Sequence, residues 1–364
     1  MLRALVTLQC ASLAFGALPA PGSVISAMNS AAQYYQSHNA LGDCGWTRGT
    51  YYAGSMAHYN VTGNKTIAAL ATAWAANHSW VCKDAGDPLD CNSFACGMTF
   101  ARLYEIAPSD EKLALAVTMD RAINSYTGYD WWWSDCEFMG LGTYFHYAKL
   151  LNDDRIRDLA YLQYSNITFG GPKGASGGQP PLWDAPGLYH RDHTYVNVTD
   201  KNGDKVFWAR GSGWVMAALA QALQHMPSTH PYAIEFAKRL GLMADALVPL
   251  QGADGFWRAS LLDAALYPNP ETTGTSCFTF ALAWGINNGI LDATKFTPIV
   301  ETAWMGLATT ALQSNGLVGW CQPPNGQPNP ATQTDTSDFC VGQFLLAGSE
   351  VYKLAGGVPP ASAF

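Results

Sequence analysis

Asp135 ends the run Trp131-Trp132-Trp133-Ser134-Asp135 and precedes a small, apolar, aromatic stretch from Phe138 to Leu151. Apolar neighbours disfavour a charged carboxylate and raise its pKa. An aspartate starts near ~3.9, and each unit of upward shift costs ~1.36 kcal/mol, so burial alone can turn Asp135 into a proton donor near neutrality. The competing assignment is an N-cap, in which the carboxylate accepts a backbone N–H at the head of a helix. Asp90, with Asn92 two residues on, poses the same choice. Arg210 lies in Trp208-Ala-Arg-Gly-Ser-Gly-Trp214. A charge-assisted hydrogen bond is worth ~1.5–3 kcal/mol, enough for Arg210 to fix a uronate carboxylate; a salt bridge bracing a helix entrance would use the same charge. Tryptophan faces stack on sugar rings while carboxylates and amides bind hydroxyls. The set therefore suits a carbohydrate, although core packing accounts for Trp131 to Trp133 as well as substrate contact does.

These residues must be positioned by helices. Six segments rich in Gly and Ala, apolar on nearly every face and studded with aromatics, begin near Gly54, Gly97, Gly140, Gly213, Gly274 and Gly342. A helix that is apolar all round is buried all round. Between them run stretches whose apolar residues fall on one stripe: Val24 to His38, Thr66 to Val81, Leu113 to Tyr126, Arg155 to Ile167, Ala237 to Leu247 and Val300 to Ala311. Strand patterns are confined to short β-branched stretches such as Thr194 to Val198. Six helical hairpins with buried inner members close most simply into a ring, so the predicted fold is all-α, a single-domain (α/α)6 six-hairpin barrel over residues 21–364. An open solenoid would need polar capping repeats, and the first and last inner segments are as apolar as the rest. Parallel inner helices bring their leading ends to one mouth, gathering Trp46 and Arg48, Asp90 and Asn92, Trp133 and Asp135, Trp208, Arg210 and Trp214, Glu271 and Thr272, and Asp335 and Asp338. The Gly/Pro-rich stretches Gly170 to Pro181 and Pro323 to Pro330 read as surface loops.

Composition narrows the partners. Of 364 residues 48% are hydrophobic and only 13% charged, against about 25% charged in an ordinary domain. With 20 Lys+Arg, 28 Asp+Glu and no basic run, the charge balance argues against nucleic acid as a partner. Residues 1–20 follow the order of a secretory signal peptide, and no apolar stretch is long enough for a membrane span. Removing Cys10 with that leader leaves eight cysteines, an even number that suits disulfides after export. Five Asn-x-Ser/Thr sequons, at Asn60, Asn64, Asn77, Asn166 and Asn197, point to a eukaryotic secreted glycoprotein. No Cys-x-x-Cys or His-Glu-x-x-His spacing calls for a metal.

The runs DWWWSDCEFMG, GLYHRDHTY, KVFWARGSGWVMAALAQAL, GFWRASLLDAALYPNPETTGTSCFTFALAWGINNGIL and FLLAGSEVYKL, in order from about Trp46 to Leu354, resemble the unsaturated rhamnogalacturonyl hydrolases, glycoside hydrolase family 105. The resemblance implies the six-hairpin barrel, no metal and no cofactor. It also implies removal of 4,5-unsaturated uronic acid, galacturonyl or glucuronyl, from the non-reducing end of lyase-generated oligosaccharides such as rhamnogalacturonan fragments. In that chemistry an aspartate protonates C4, water adds at C5, and the resulting hemiketal opens. By motif position Asp135 is similar to the family's acid/base, and Asp90 or Asn92 to its second aspartate. Arg210 and Trp214, with one of His190, Arg191 and Asp192, are similar to substrate contacts, and Trp208, Trp133 and Asn92 join them as candidate binding residues at the mouth. Two departures stand out: Ser212 replaces an Asn between the two glycines, and Cys136-Glu137 follow Asp135 where small or apolar residues are common. Two alternatives remain open, a two-carboxylate glycosidase acting on saturated glycosides through Asp135 and Asp90, and a non-catalytic sugar-binding protein.

Overall fold

The computed structural model describes residues 18–361 apart from 85, 127–129, 172–178 and 186. Residues 1–17 of the expected leader and the middle of the Gly170 to Pro181 stretch thus lie outside the described residues. Among the described residues, twelve α-helices alternate between the two predicted kinds. The outer ones are α1 (Pro21–His38), α3 (Lys65–Asn77), α5 (Leu115–Ser125), α7 (Asp154–Phe169), α9 (Pro231–Leu247) and α11 (Ala293–Gly306). The inner ones are α2 (Trp46–Thr62), α4 (Gly97–Ile106), α6 (Asp135–Leu151), α8 (Ala209–Leu223), α10 (Thr272–Asn287) and α12 (Asp338–Leu354).

Local chemistry starts the outer helices. The Asn64, Asp153 and Asp292 side chains accept the N–H two residues on, and proline opens α1 and α9, where its missing N–H costs nothing. The inner helices are held by packing instead. Every residue of α8 from Ala209 to Ala222 and of α10 from Thr272 to Gly285 is buried.

Each inner helix packs on the next, α2 on α4, then α6, α8, α10 and α12, and α12 returns to α2. The barrel is therefore closed, and an open solenoid is excluded. At the closing seam a Cβ on Gly54 would lie 2.0 Å from the Gly342 carbonyl oxygen, and one on Gly342 would lie 2.3 Å from that of Thr50. These two glycines let the α2 and α12 backbones touch.

Among the described residues the only paired strands are Trp183–Asp184 and Leu188–Tyr189, antiparallel. The β-branched stretch Thr194 to Val198 is not a strand: Asp192 caps a short 3-10 helix, His193–Tyr195, which takes the chain away from any partner strand. No described helix is long and apolar enough to cross a membrane.

Disulfides join Cys91 to Cys136 and Cys321 to Cys340, while Cys44, Cys82, Cys96 and Cys277 are buried thiols. The even count therefore does not translate into four bridges. Among the sequons, Asn166 is buried against Tyr126 and Asn60 accepts a hydrogen bond from Arg102, which leaves Asn64, Asn77 and Asn197 exposed.

Candidate active site

The leading ends of the inner helices carry the residues expected there: Trp46, Asp135 and Asp338 open α2, α6 and α12, and Trp208 and Glu271 precede α8 and α10. Most of their polar groups are already engaged. Glu271 caps α10 with both oxygens, accepting from Thr273 and Gly274 N–H at 3.0 and 2.6 Å. Asp338 accepts from the Tyr35 hydroxyl at 2.7 Å and pairs with Arg48 Nε at 3.1 Å.

Asp135 is different. Ser134 takes the cap position of α6, so the aspartate is the first residue inside the helix and not its cap. Its carboxylate accepts from Ser134 Oγ at 3.3 Å and lies 3.5 Å from Arg191 Nε. Burial raises the Asp135 pKa, and the positive charges of Arg191 and Arg210 only partly offset it. The side chain nevertheless keeps 14% of its surface open, so the group is desolvated yet reachable.

Arg191 is brought there by backbone pairing. Ser134 N–H donates to the Arg191 carbonyl at 2.7 Å, and Trp133 bridges Asp192 in antiparallel fashion. The guanidinium then lies over Trp132 at 5.5 Å and Trp133 at 5.8 Å, and donates from Nη1 to Asp192 at 2.8 Å. Of the three residues His190, Arg191 and Asp192, Arg191 is thus the one beside Asp135.

Asp90 keeps the capping role. It precedes the 3-10 helix Cys91–Phe94 and accepts the Asn92 N–H at 2.9 Å; burial, with Asp84 and Asp87, raises its pKa. The Cys91–Cys136 disulfide holds its two Cα atoms 5.2 Å apart, which keeps the Asp90 and Asp135 Cα atoms within about 13 Å of each other. Asn92 remains half-buried at the same turn. Replacing Cys91 and Cys136 by Ser is expected to cost about 4 kcal/mol through loop closure alone, measured by denaturant unfolding, and to loosen Asp90 relative to Asp135.

Other expected contacts already have partners within the fold. Arg210, 1% exposed, sandwiches between Trp208 and Phe339 and donates to the carbonyls of Gln322, Pro323 and Asn325 at 2.7, 2.9 and 3.4 Å. Burial lowers its pKa to about 10 despite Glu271 and Asp135. Arg210 thus ties the entrance of α8 to the Gln322–Asn325 carbonyls and not to a carboxylate. Trp208 donates its indole N–H to Gln322 Oε1 at 2.7 Å. His190, stacked on Phe207, lies between Asp184 at 3.0 Å and the Val206 carbonyl at 3.3 Å. These three are buried at 1% exposure each. Trp214 is fully buried beneath the mouth against Phe138, with Trp46 and Phe339 at its edge and no partner for its N–H.

Both sequence departures have local reasons. Ser212 exchanges hydrogen bonds with the Tyr189 backbone, tying α8 to the small hairpin, and Cys136 is a disulfide partner. Glu137 is wholly buried with neither oxygen hydrogen-bonded, and burial pushes its pKa far up.

Sequence reasoning missed the segment Pro323 to Pro330. Read as a surface loop, it seats Arg210, and a Cβ on Gly326 would lie 3.4 Å from Arg191 Cζ, so it walls the mouth. The available signal was Cys321, whose disulfide to Cys340 pins the segment on α12.

A closed ring of six helical hairpins, with an accessible desolvated aspartate among tryptophans at the mouth, defines a six-hairpin glycosidase. The model of Glycosyl Hydrolase Family 88 matches residues 23–355, and the chain belongs to that family. A curated relative, the Unsaturated 3S-rhamnoglycuronyl hydrolase of Formosa agariphila, is 37% identical over 231 residues, which are 62% of this chain and 58% of that protein. The matched segment thus spans little more than half of that relative. The structure of a glycosyl hydrolase family 88 protein from Bacteroides vulgatus superposes with TM-score 0.84 at 29% identity, covering 92% of this chain and 100% of that one. One described as a Polysaccharide Lyase gives the same TM-score and identity, 0.84 and 29%, over 93% and 99%. The motif resemblance to family 105 points to the same fold.

Proposed function

We propose that the protein is an extracellular unsaturated glycuronyl hydrolase, which removes a 4,5-unsaturated uronic acid from the non-reducing end of lyase-generated oligosaccharides such as rhamnogalacturonan fragments. The observation that carries this reading is Asp135, desolvated, accessible and unspent as a cap, 3.5 Å from Arg191. In its acid form Asp135 gives its proton to C4. Water adds at C5 and surrenders a proton to the Asp135 carboxylate, restoring the acid. The C5 hemiketal then opens, and the aglycone sugar leaves with its hydroxyl. Arg191, which has five N–H donors and, among the described residues, one side-chain hydrogen bond, to Asp192, would hold the uronate carboxylate. That anion in turn favours the protonated form of Asp135. Trp46, half-buried and stacked on Phe339 at 5.2 Å, offers an aromatic wall.

The deciding experiment follows ultraviolet absorbance of the conjugated enol. Loss of absorbance with release of a keto-uronate is expected. A gain would mean elimination, as the lyase-described neighbour would suggest; action on saturated glycosides alone would mean two-carboxylate hydrolysis; no turnover would mean a binding protein. Each of these overturns the proposal. Because burial moves Asp135 upward, the acid form persists above the ordinary aspartate value of ~3.9. Turnover is expected to hold below the raised pKa and to fall as pH increases through it, read as the basic limb of kcat against pH.

A further inference from the structure

A cavity of about 330 Å³ opens at the other end of the barrel, where the inner helices finish. His146 lines it eleven residues beyond Asp135 on α6, a rise of roughly 16 Å, so it is separate from the mouth. Its size falls within the range of small-molecule pockets, ~300–1,000 Å³. From these walls we infer a second ligand site, one that takes a neutral polyhydroxylated molecule of single-sugar size.

Most of the charge around the cavity is compensated; among the described lining residues Lys149 is the cation in no ion pair. Glu105 pairs with Arg102 at 2.9 Å and with His146 at 3.1 Å, and Glu350 pairs with Lys353 at 2.6 Å. Burial works against the Glu105 charge, yet His146 and Arg102 hold its pKa down to about 2. Among the described lining residues both carboxylates are paired, and the single unpaired Lys149 is not a cluster of cations that would hold an anion. The deeper groups are neutral and unspent. Gln221, 7% exposed, has no partner for Oε1, and His225, stacked on His146 at 4.0 Å, has none for Nδ1. Burial, with His146 and Lys149, pushes the His225 pKa well down and so keeps the ring neutral.

A neutral imidazole offers one donor and one acceptor, and an amide offers both. Sugar hydroxyls also do both, whereas a carboxylate only accepts and an ammonium only donates. Phe280 and Leu346 on α10 and α12 give the wall an apolar side for the C–H face of a ring. Leaving a buried acceptor unsatisfied costs ~1–3 kcal/mol, which a bound hydroxyl would recover.

The test uses the full mature chain with L-rhamnose, D-galactose and D-xylose as probes, and acetate and putrescine as charged controls, read by ligand-observed NMR and by crystals soaked with each sugar. At least one sugar is expected to bind in the far cavity. Gln221→Leu should weaken binding by about tenfold, the worth of one lost hydrogen bond, and Arg191→Ala at the mouth should leave it unchanged. His225→Phe, which keeps the ring stack and removes Nδ1, provides a second reading if Gln221→Leu does not fold. The inference fails if the cavity holds only water, if acetate or putrescine binds in place of the sugars, or if Arg191→Ala abolishes the signal. It stands or falls independently of turnover at the mouth.

Discussion

Asp135→Asn should lower kcat on an unsaturated uronyl oligosaccharide by about 10²–10⁴-fold, the range for loss of a general acid–base, with KM little changed. The amide keeps the size and a hydrogen-bond acceptor, so Arg191 and Ser134 retain a neighbour, but it has no proton to give C4. Stability should move the other way. The folded-state pKa of Asp135 is raised, so its contribution to stability is fully present below the unfolded value of ~3.9 and is lost as pH rises through the folded value. At neutral pH the wild-type chain therefore holds a penalised charge that the asparagine variant lacks. The variant is expected to melt no lower than wild type at neutral pH, and any advantage should vanish in acid. Lost turnover accompanied by a lower melting temperature at neutral pH would count against both the role and the electrostatics assigned to this residue.

Helix periodicity made the fold legible because burial on all sides leaves an unusual record: six apolar, glycine-rich segments alternating with striped ones. It also placed Asp135, Trp46, Glu271 and Asp338 at one end of the barrel, since parallel inner helices allow no other arrangement. What stayed hidden was how each charge is spent. Arg210 and Arg191 look equally available in the sequence. Only the fold shows that Arg210 reaches three carbonyls of a loop more than a hundred residues away, while pairing of Ser134 with Arg191 sets the second guanidinium beside Asp135. Likewise Asp90 and Asp135 pose one question in the sequence and receive different answers: Asp90 precedes its short helix and accepts the Asn92 N–H, whereas Asp135 is the first residue inside α6. His190 shows the same limit: its partners, Asp184 and Val206, lie on either side of it in a fold of loops that no periodicity describes.

Gly342→Val tests the closure on which the whole mouth depends. The atoms nearest an added Cβ are the Thr50 carbonyl oxygen and carbon and Tyr51 Cα, at 2.3, 2.8 and 2.8 Å. All are backbone, so no rotamer change relieves the overlap, and α12 and α2 must separate. Overpacking a core where side chains can yield costs ~1–3 kcal/mol, and a backbone clash at a helix seam should exceed that upper figure, a large share of the ~5–15 kcal/mol that holds a domain together. The seam also aligns Trp46 at the start of α2 with Phe339 at the start of α12, so any folded remainder should bind substrate poorly. Gly241 on the outer helix α9 provides the contrast, since nothing lies within 4 Å of a Cβ built there. Gly241→Ala should stabilise by about 1 kcal/mol through helix propensity, measured by chemical denaturation. Opposite signs for these two glycines would separate a residue required by close approach of two backbones from one that merely interrupts a helix. Equal tolerance at both positions would mean that α2 and α12 do not meet and that the ring is open.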